Sequence, residues 1–172
     1  MINNLKDNHK LKSGKELIIP EGILIMARFI FVFWMSMFLT VPAAFCQVKM
    51  VSISKKKVNI RSGPGTKYDI LFEVGKGYPL KVLGSKGKWF KVQDFEGDQG
   101  WVYRPLTTNE PCLIVKKKKI NIRNGPGTNY RVIDKAGYGV VFQTIKRKKG
   151  WTKVKDEYGF TGWVYRKLLW GW

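Results

Sequence analysis

The chain has 172 residues, and its 32 Lys and Arg against 12 Asp and Glu give a formal net charge of +20 at pH 7. Its one histidine is His9, and its two cysteines are Cys46 and Cys112. Catalytic triads and His-ligated metal sites need an imidazole, and two cysteines are too few for a zinc cluster or a disulfide framework. The composition therefore predicts a protein that is not an enzyme and that has no metal or cofactor.

An apolar segment near the N-terminus predicts export. Residues 29–41 form a run of 13 that follows Arg28 and precedes small residues. The run is shorter than the roughly 20 residues that span a bilayer as a helix, but it fits the core of a secretory signal. We interpret residues 1–46 as a leader and signal peptide, with Met26 as an alternative start, and expect a protein of the periplasm or cell envelope. Retention of this segment as the sole membrane contact, and lipidation of Cys46, stay open.

The rest of the chain is an internal repeat. Residues 59–66 read NIRSGPGT and residues 121–128 read NIRNGPGT, while GWVYR occurs at 100–104 and again at 162–166. Both pairs are 62 positions apart, and 22 of 49 aligned positions are identical, against about three expected by chance. The period matches a small domain that folds alone. We predict two domains, over residues 48–108 and 112–172.

Each repeat is predicted to be all-β. Apolar residues alternate in five short segments, and glycine-rich turns such as residues 63–65 separate the segments. Strands this short bury their edges by closing into a small barrel. The predicted core of the first barrel, with equivalents 62 positions on, is Ile60, Ile70, Leu80, Val82, Val92, Val102 and Leu106.

The motif N-I-R-x-G-P-G-T, followed by an aromatic residue, a tryptophan and G-W-V-Y, resembles the bacterial Src-homology-3 (SH3b) family in both copies. The resemblance implies two tandem five-to-six-stranded SH3-like barrels after the signal helix. It also implies a non-catalytic module that recognises cell-wall peptide or glycan. Such modules are often attached to a hydrolase, whereas no hydrolase domain accompanies them in this sequence.

Aromatic residues are the candidate ligand contacts, because their rings offer an apolar face and a polar edge to sugars and extended peptides. Each repeat supplies the same four rings: Tyr68, Trp89, Trp101 and Tyr103 in the first, and Tyr130, Trp151, Trp163 and Tyr165 in the second. The alternative for Trp101 and Trp163 is that they plug the barrels.

Other polar and reactive side chains have structural interpretations. We expect Arg61 and Arg123 to stabilise the turn that follows them, with stacking on an aromatic ring or pairing with a ligand carboxylate as the alternatives. We expect Asp94 and Glu96 to form a turn rather than a catalytic carboxylate pair. Cys112 is expected to be a small buried residue at the start of a strand.

Three functions are considered. Peptidoglycan binding by two linked weak sites is the leading hypothesis, and an envelope adaptor for extended or proline-rich peptides is the alternative. The net charge of +18 after residue 46 also admits anionic polymers, including nucleic acid. The export segment argues against nucleic acid.

Overall fold

The computed structural model describes residues 48–172, and the predicted leader and signal helix lie outside the described residues. The described residues form one compact unit that consists of two seven-stranded antiparallel sheets. The predicted all-β class is therefore confirmed. Within residues 48–172, no helix is both long and apolar enough to cross a membrane.

Both sheets have the same strand order. The first contains β1 (Met50–Ile53), β2 (Val58–Arg61), β3 (Ile70–Val74), β4 (Pro79–Lys86), β5 (Trp89–Gln93), β6 (Gln99–Tyr103) and β7 (Thr107–Thr108), in the order β3-β2-β6-β5-β4-β1-β7. The second contains β8 (Cys112–Val115), β9 (Lys119–Arg123), β10 (Val132–Gly137), β11 (Val141–Lys148), β12 (Trp151–Lys155), β13 (Thr161–Tyr165) and β14 (Leu169–Gly171), in the order β10-β9-β13-β12-β11-β8-β14. A three-residue 3-10 turn precedes β7 and another precedes β14.

Each barrel has more strands than the sequence predicted. The additional strands are β1 and β8, which pair with β4 and β11, and the short β7 and β14, which pair with β1 and β8. The four residues of β8 are all buried, so they lack the polar alternation by which the other strands were recognised. These strands complete the apolar wall on one side of each barrel.

Each sheet encloses its own apolar core. The core of the first barrel consists of Val51, Ile53, Val58, Ile60, Val74, Leu80, Phe90, Val92 and Val102. The core of the second consists of Leu113, Val115, Ile120, Ile122, Ala136, Phe142, Val154, Val164 and Leu169. Four of the seven predicted core positions are buried in both barrels, and Val82 and Leu106 pack against the first core from its margin.

The prediction that Ile70 belongs to the core is wrong. Ile70 is 54% exposed, and its counterpart Val132 is 37% exposed. The register shifts between Ile60, which pairs with Phe72, and Arg61, which pairs with Ile70, so Leu71 is an extra residue in β3. A bulge of this kind reverses the face on which the following side chains lie, and it turns Ile70 outward.

Aromatic residues form part of the contact between the barrels. Phe95 of the first barrel packs against Tyr138 of the second with ring centroids 5.2 Å apart, and it also packs edge-on against Tyr78 at 6.1 Å. The Tyr138 hydroxyl donates to the Glu96 carboxylate, and the Tyr78 hydroxyl donates to Asp94 at 3.3 Å. Burial, reinforced by the Asp94 carboxylate, raises the pKa of Tyr78.

Ser52 is the centre of a second set of contacts between the barrels. Its fully buried hydroxyl donates to the backbone carbonyl of Glu110 at 2.8 Å and accepts from Nε1 of Trp172 at 3.1 Å. The Arg166 guanidinium donates to the carbonyls of Leu169, Gly171 and Trp172, so it holds this segment in place. The two barrels are therefore joined by polar and aromatic contacts as well as by the short connection at residues 109–111.

We expect Thr152→Val to stabilise the protein. Thr152 is fully buried in the second barrel, and its hydroxyl has no hydrogen-bond partner among the described residues. Because valine has the same shape without the unpaired hydroxyl, the free energy of unfolding should rise by about 1 kcal/mol and the Tm by about 4 °C. Thermal unfolding followed by circular dichroism measures this, with the exposed Thr66→Val as the control. A lower Tm for Thr152→Val would contradict the assignment.

The Tyr138 contact should contribute to stability in a pH-dependent way. The hydrogen bond to Glu96 raises the pKa of Tyr138 from 10.0 to about 12. Because the raised pKa belongs to the folded state, the stabilisation is complete below the unfolded pKa and is lost as the pH rises through the folded one. Tyr138→Phe should therefore lower the Tm near pH 8, and its difference from the parent should disappear by about pH 12. Tyr158→Phe is the control, and a difference that persists above this range would refute the contact.

Candidate functional site

An arginine closes the loop beside each predicted binding surface. Nη1 of Arg61 donates to the carbonyls of Thr66 at 3.0 Å and Tyr68 at 2.8 Å. In the second barrel, Nη1 of Arg123 donates to the carbonyl of Tyr130 at 2.6 Å. The predicted structural role of both arginines is confirmed.

The glycines of the motif allow a tyrosine ring to lie directly on the backbone. A Cβ atom at Gly63 would overlap the ring of Tyr68, and one at Gly125 would overlap the ring of Tyr130. The two tyrosines remain 38% and 42% exposed. The motif thus holds one accessible ring at a fixed place in each barrel.

A tryptophan and a tyrosine from neighbouring strands form the second part of each surface. Trp89 pairs with Tyr103 across β5 and β6, and their ring centroids lie 5.4 Å apart with planes tilted by 52°. Trp151 and Tyr165 repeat this arrangement at 5.5 Å and 51°. All four side chains are half-buried, so part of each residue remains accessible to a ligand.

In the second barrel these side chains line a groove of about 610 Å³. The residues that line it are Lys119, Ile120, Asn121, Arg123, Gly127, Thr128, Asn129, Trp151, Tyr165 and Leu168. Its aromatic wall can stack on a flat apolar group, while the amides of Asn121 and Asn129 and the Thr128 hydroxyl can exchange hydrogen bonds with a polar one. We call this set of residues the second groove. The residues 62 positions earlier, which share its strand order and its Trp–Tyr pair, are called the first groove by correspondence.

Trp101 and Trp163 lie outside the groove lining. Trp101 is half-buried, whereas Trp163 is 8% exposed. Trp163 is paired with Arg123 on β9 and with Lys153 on β12, and Nζ of Lys146 lies 5.8 Å from its ring centroid. Little of the Trp163 ring is therefore available to a ligand in this structure.

The structure brings together polar groove residues that the sequence interpretation did not select. Asn121 and Arg123 alternate along β9 with the buried Ile120 and Ile122, so this strand presents a polar face to the groove. The alternation was visible in the sequence as N-I-R. Lys119, the last of four consecutive lysines at 116–119, also lines the groove.

The acidic turn of the first barrel has a structural explanation. Oδ1 of Asp94 accepts the backbone N–H groups of Glu96, Gly97 and Asp98, each at 2.9 Å. Asp94, Glu96 and Asp98 lie close enough together to be considered as metal ligands, but this hydrogen bonding accounts for the turn. The prediction that Asp94 is a turn former is confirmed, whereas the carboxylate of Glu96 accepts the hydroxyl of Tyr138 instead.

Cys112 is also where the sequence placed it. It is 4% exposed at the start of β8, and burial raises the pKa of its thiol. The thiol is therefore held in its neutral form, as a small apolar side chain in the wall of the second barrel.

Comparison with known proteins identifies related sequences. The profile described as "Bacterial SH3 domain" matches residues 54–108 and 116–171. YrvJ of Bacillus subtilis (strain 168), named as an N-acetylmuramoyl-L-alanine amidase, is 34% identical over 123 residues, which are 65% of this chain and 24% of YrvJ. LytH of Staphylococcus epidermidis, named as a cell wall amidase, is 35% identical over 48 residues, which are 27% of this chain and 16% of LytH. The chain thus spans no more than about a quarter of these relatives.

Solved structures give weaker likenesses. An NlpC/P60 family protein of Bacillus cereus is 15% identical with a TM-score of 0.34, covering 71% of this chain and 56% of its own. NlpC1 of Trichomonas vaginalis is 11% identical with a TM-score of 0.34, covering 77% and 49%. Likenesses at this level carry no functional argument.

The prediction that the protein is not an enzyme is contradicted by the relatives, because both are named as amidases. The prediction relied on the lack of histidine after residue 46, but the matched residues are a minor part of each relative. The lack of histidine describes the two barrels, and the prediction wrongly extended it to the activity of the protein. The predicted resemblance is confirmed, since the matches fall on both repeats: the chain belongs to the bacterial SH3 domain family, with two copies in tandem.

Proposed function

We propose that the two barrels bind peptidoglycan outside the cytoplasm. By this binding they keep an amidase of the kind named for the relatives in contact with its polymeric substrate. The observation that carries the proposal is the repeated Trp–Tyr pair, at 5.4 Å in one barrel and 5.5 Å in the other, beside an exposed tyrosine. Two identical aromatic surfaces suit a polymer that offers the same group many times.

The chemistry of the groove supports a glycan or peptide as the ligand. Half-buried rings provide flat apolar contact, and the amides of Asn121 and Asn129 lie in the same groove. Sugars and extended peptides present both an apolar face and a regular series of hydrogen-bonding groups. The names of YrvJ and LytH as amidases of the cell wall and of N-acetylmuramoyl-L-alanine point to the same polymer.

Linkage of the two sites would compensate for weak binding at each. When one groove is occupied, the second meets the polymer at a high effective concentration, so the overall affinity exceeds that of either groove. The contacts between the barrels, including the hydrogen bond from Trp172 to Ser52, restrict the orientations through which the second groove must search. Removal of one groove should therefore weaken binding far more than twofold.

Substitution of the groove tryptophans tests the proposal. Trp89→Ala or Trp151→Ala should each weaken binding to purified sacculi about tenfold, and the double variant should weaken it about a hundredfold or more. Co-sedimentation at moderate salt measures the bound fraction, and circular dichroism shows that the variants are folded. Tyr158→Ala removes an aromatic ring that is 87% exposed and is not part of the groove lining, so it is the matched control. Sacculi that leave the parent protein in the supernatant would refute the proposal.

A further inference from the structure

The two grooves differ in charge at two positions. In the lining, Asn129 of the second groove corresponds to Lys67 of the first, and Nζ of Lys67 lies 5.6 Å from the centroid of the Tyr68 ring, so this ammonium group already has an aromatic partner.

The other difference lies on the rim. In the first barrel, Nζ of Lys57 lies 3.0 Å from Oε2 of Glu73, and Glu73 is paired with Asn59 across β2 and β3. The offset of 62 places Lys119 at the position of Lys57 and Lys135 at the position of Glu73. A neutralised ion pair in the first barrel thus becomes two lysines in the second.

Lys135 lies beside the lining of the second groove. It is paired with Asn121 across β9 and β10, and Lys119 is paired with Gly137 on the same two strands. Both Asn121 and Lys119 line the groove. The carboxylate that pairs with Lys57 in the first groove is therefore replaced by a cation at the equivalent rim position of the second.

The hairpin of β11 and β12 adds further positive charge near the aromatic wall. Lys146, Arg147 and Lys149 stand where the first repeat has Gly84, Ser85 and Gly87. Lys148 is paired with Trp151 of the groove, and Lys146 is paired directly with Lys153. Like charges that face each other across two strands are destabilising, and a bound anion would remove that cost.

Carboxylates of the second barrel do not offset this charge at the groove. Residues 111–172 contain 15 Lys and Arg but 3 Asp and Glu, whereas residues 48–110 contain 12 and 6. Asp134 is adjacent to Lys135 in β10, and its Oδ1 accepts the backbone N–H of Lys135 at 2.7 Å, so this oxygen is engaged with the backbone. Asp156 accepts the backbone N–H groups of Tyr158 and Phe160 within its own turn.

We propose that the second groove is selective for a carboxylate on the cell-wall peptide and that the first groove is not. This inference rests on the proposed function and adds a difference between the two sites. Trp151 and Tyr165 would contact the apolar part of the ligand, while Lys119 and Lys135 would attract its carboxylate. Arg123 already donates to the carbonyl of Tyr130, so the lysines are the cations assigned to the ligand.

Site-resolved titration tests the inference. The probe is a soluble peptidoglycan fragment with free peptide carboxylates, compared with the same fragment after its carboxylates are converted to amides. The indole N–H signals of Trp89 and Trp151 report the two grooves separately in nitrogen-15 NMR spectra. Amidation should weaken binding at Trp151 about threefold to tenfold and leave binding at Trp89 unchanged, and the preference at Trp151 should decrease with added salt.

Exchange of the charges between the repeats provides the matched variants. Lys135→Glu should abolish the preference for the carboxylate at Trp151, and Glu73→Lys should create such a preference at Trp89. Lys155→Glu changes the net charge equally but lies four residues along β12 from Trp151, so it should leave the preference intact. Thermal unfolding shows whether each variant is folded.

The outcomes separate this inference from the proposed function. If both fragments bound at Trp151 with equal affinity in the parent protein, the charge selectivity would be refuted while wall binding would stand. If Lys155→Glu removed the preference as fully as Lys135→Glu, overall charge rather than the rim lysine would be responsible, and the inference would again fail. If neither fragment shifted either tryptophan, both proposals would be overturned.

Discussion

Each barrel depends on one close approach between backbones, where β2 meets β6 in the first barrel and β9 meets β13 in the second. A Cβ atom at Gly100 would overlap the Ile60 side chain and would lie 3.1 Å from the carbonyl of Arg61, so only glycine lets these strands pair. The pairing places Arg61 opposite Trp101. From there the Arg61 guanidinium reaches the carbonyl of Tyr68 and fixes the loop that carries the exposed ring. The same backbone contact therefore closes the sheet and positions the loop beside the groove.

The duplication separates residues that build a barrel from residues that join the two. Positions identical in both repeats include the closing glycine, the loop arginine and the groove rings, which each copy needs for itself. The contacts between the barrels come from positions that differ: Phe95 and Glu96 correspond to Glu157 and Tyr158, and Tyr138 corresponds to Lys76. Since the two barrels present different surfaces to each other, their contact can form only if the copies diverge at these positions.

The features that were predicted correctly from the sequence are those that a local pattern of residues determines. Alternation placed Ile60 and Val102 in the core, and the repeated motif placed the exposed tyrosines. The prediction from alternation failed at Ile70, because a bulge inverts the alternation and one extra residue leaves no local signature in the sequence. The partnership of Ser52 with Trp172 also escaped prediction, since it joins residues 120 positions apart and depends on how two finished barrels meet. Local periodicity thus determines each barrel, whereas the contact between them depends on surfaces that exist only after folding.

Divergence between the repeats also bears on what two sites can achieve together. Two equivalent grooves would increase affinity for any polymer that repeats one group. If the rim of one groove carries a Lys57–Glu73 ion pair and the other carries two lysines, the sites are no longer interchangeable. Linkage of the two sites then increases the affinity most for a ligand that presents a neutral unit to one groove and a charged unit to the other. A duplicated module can in this way become more selective without a new fold, because the charge of one side chain on β10 changes which ligands benefit from the second site.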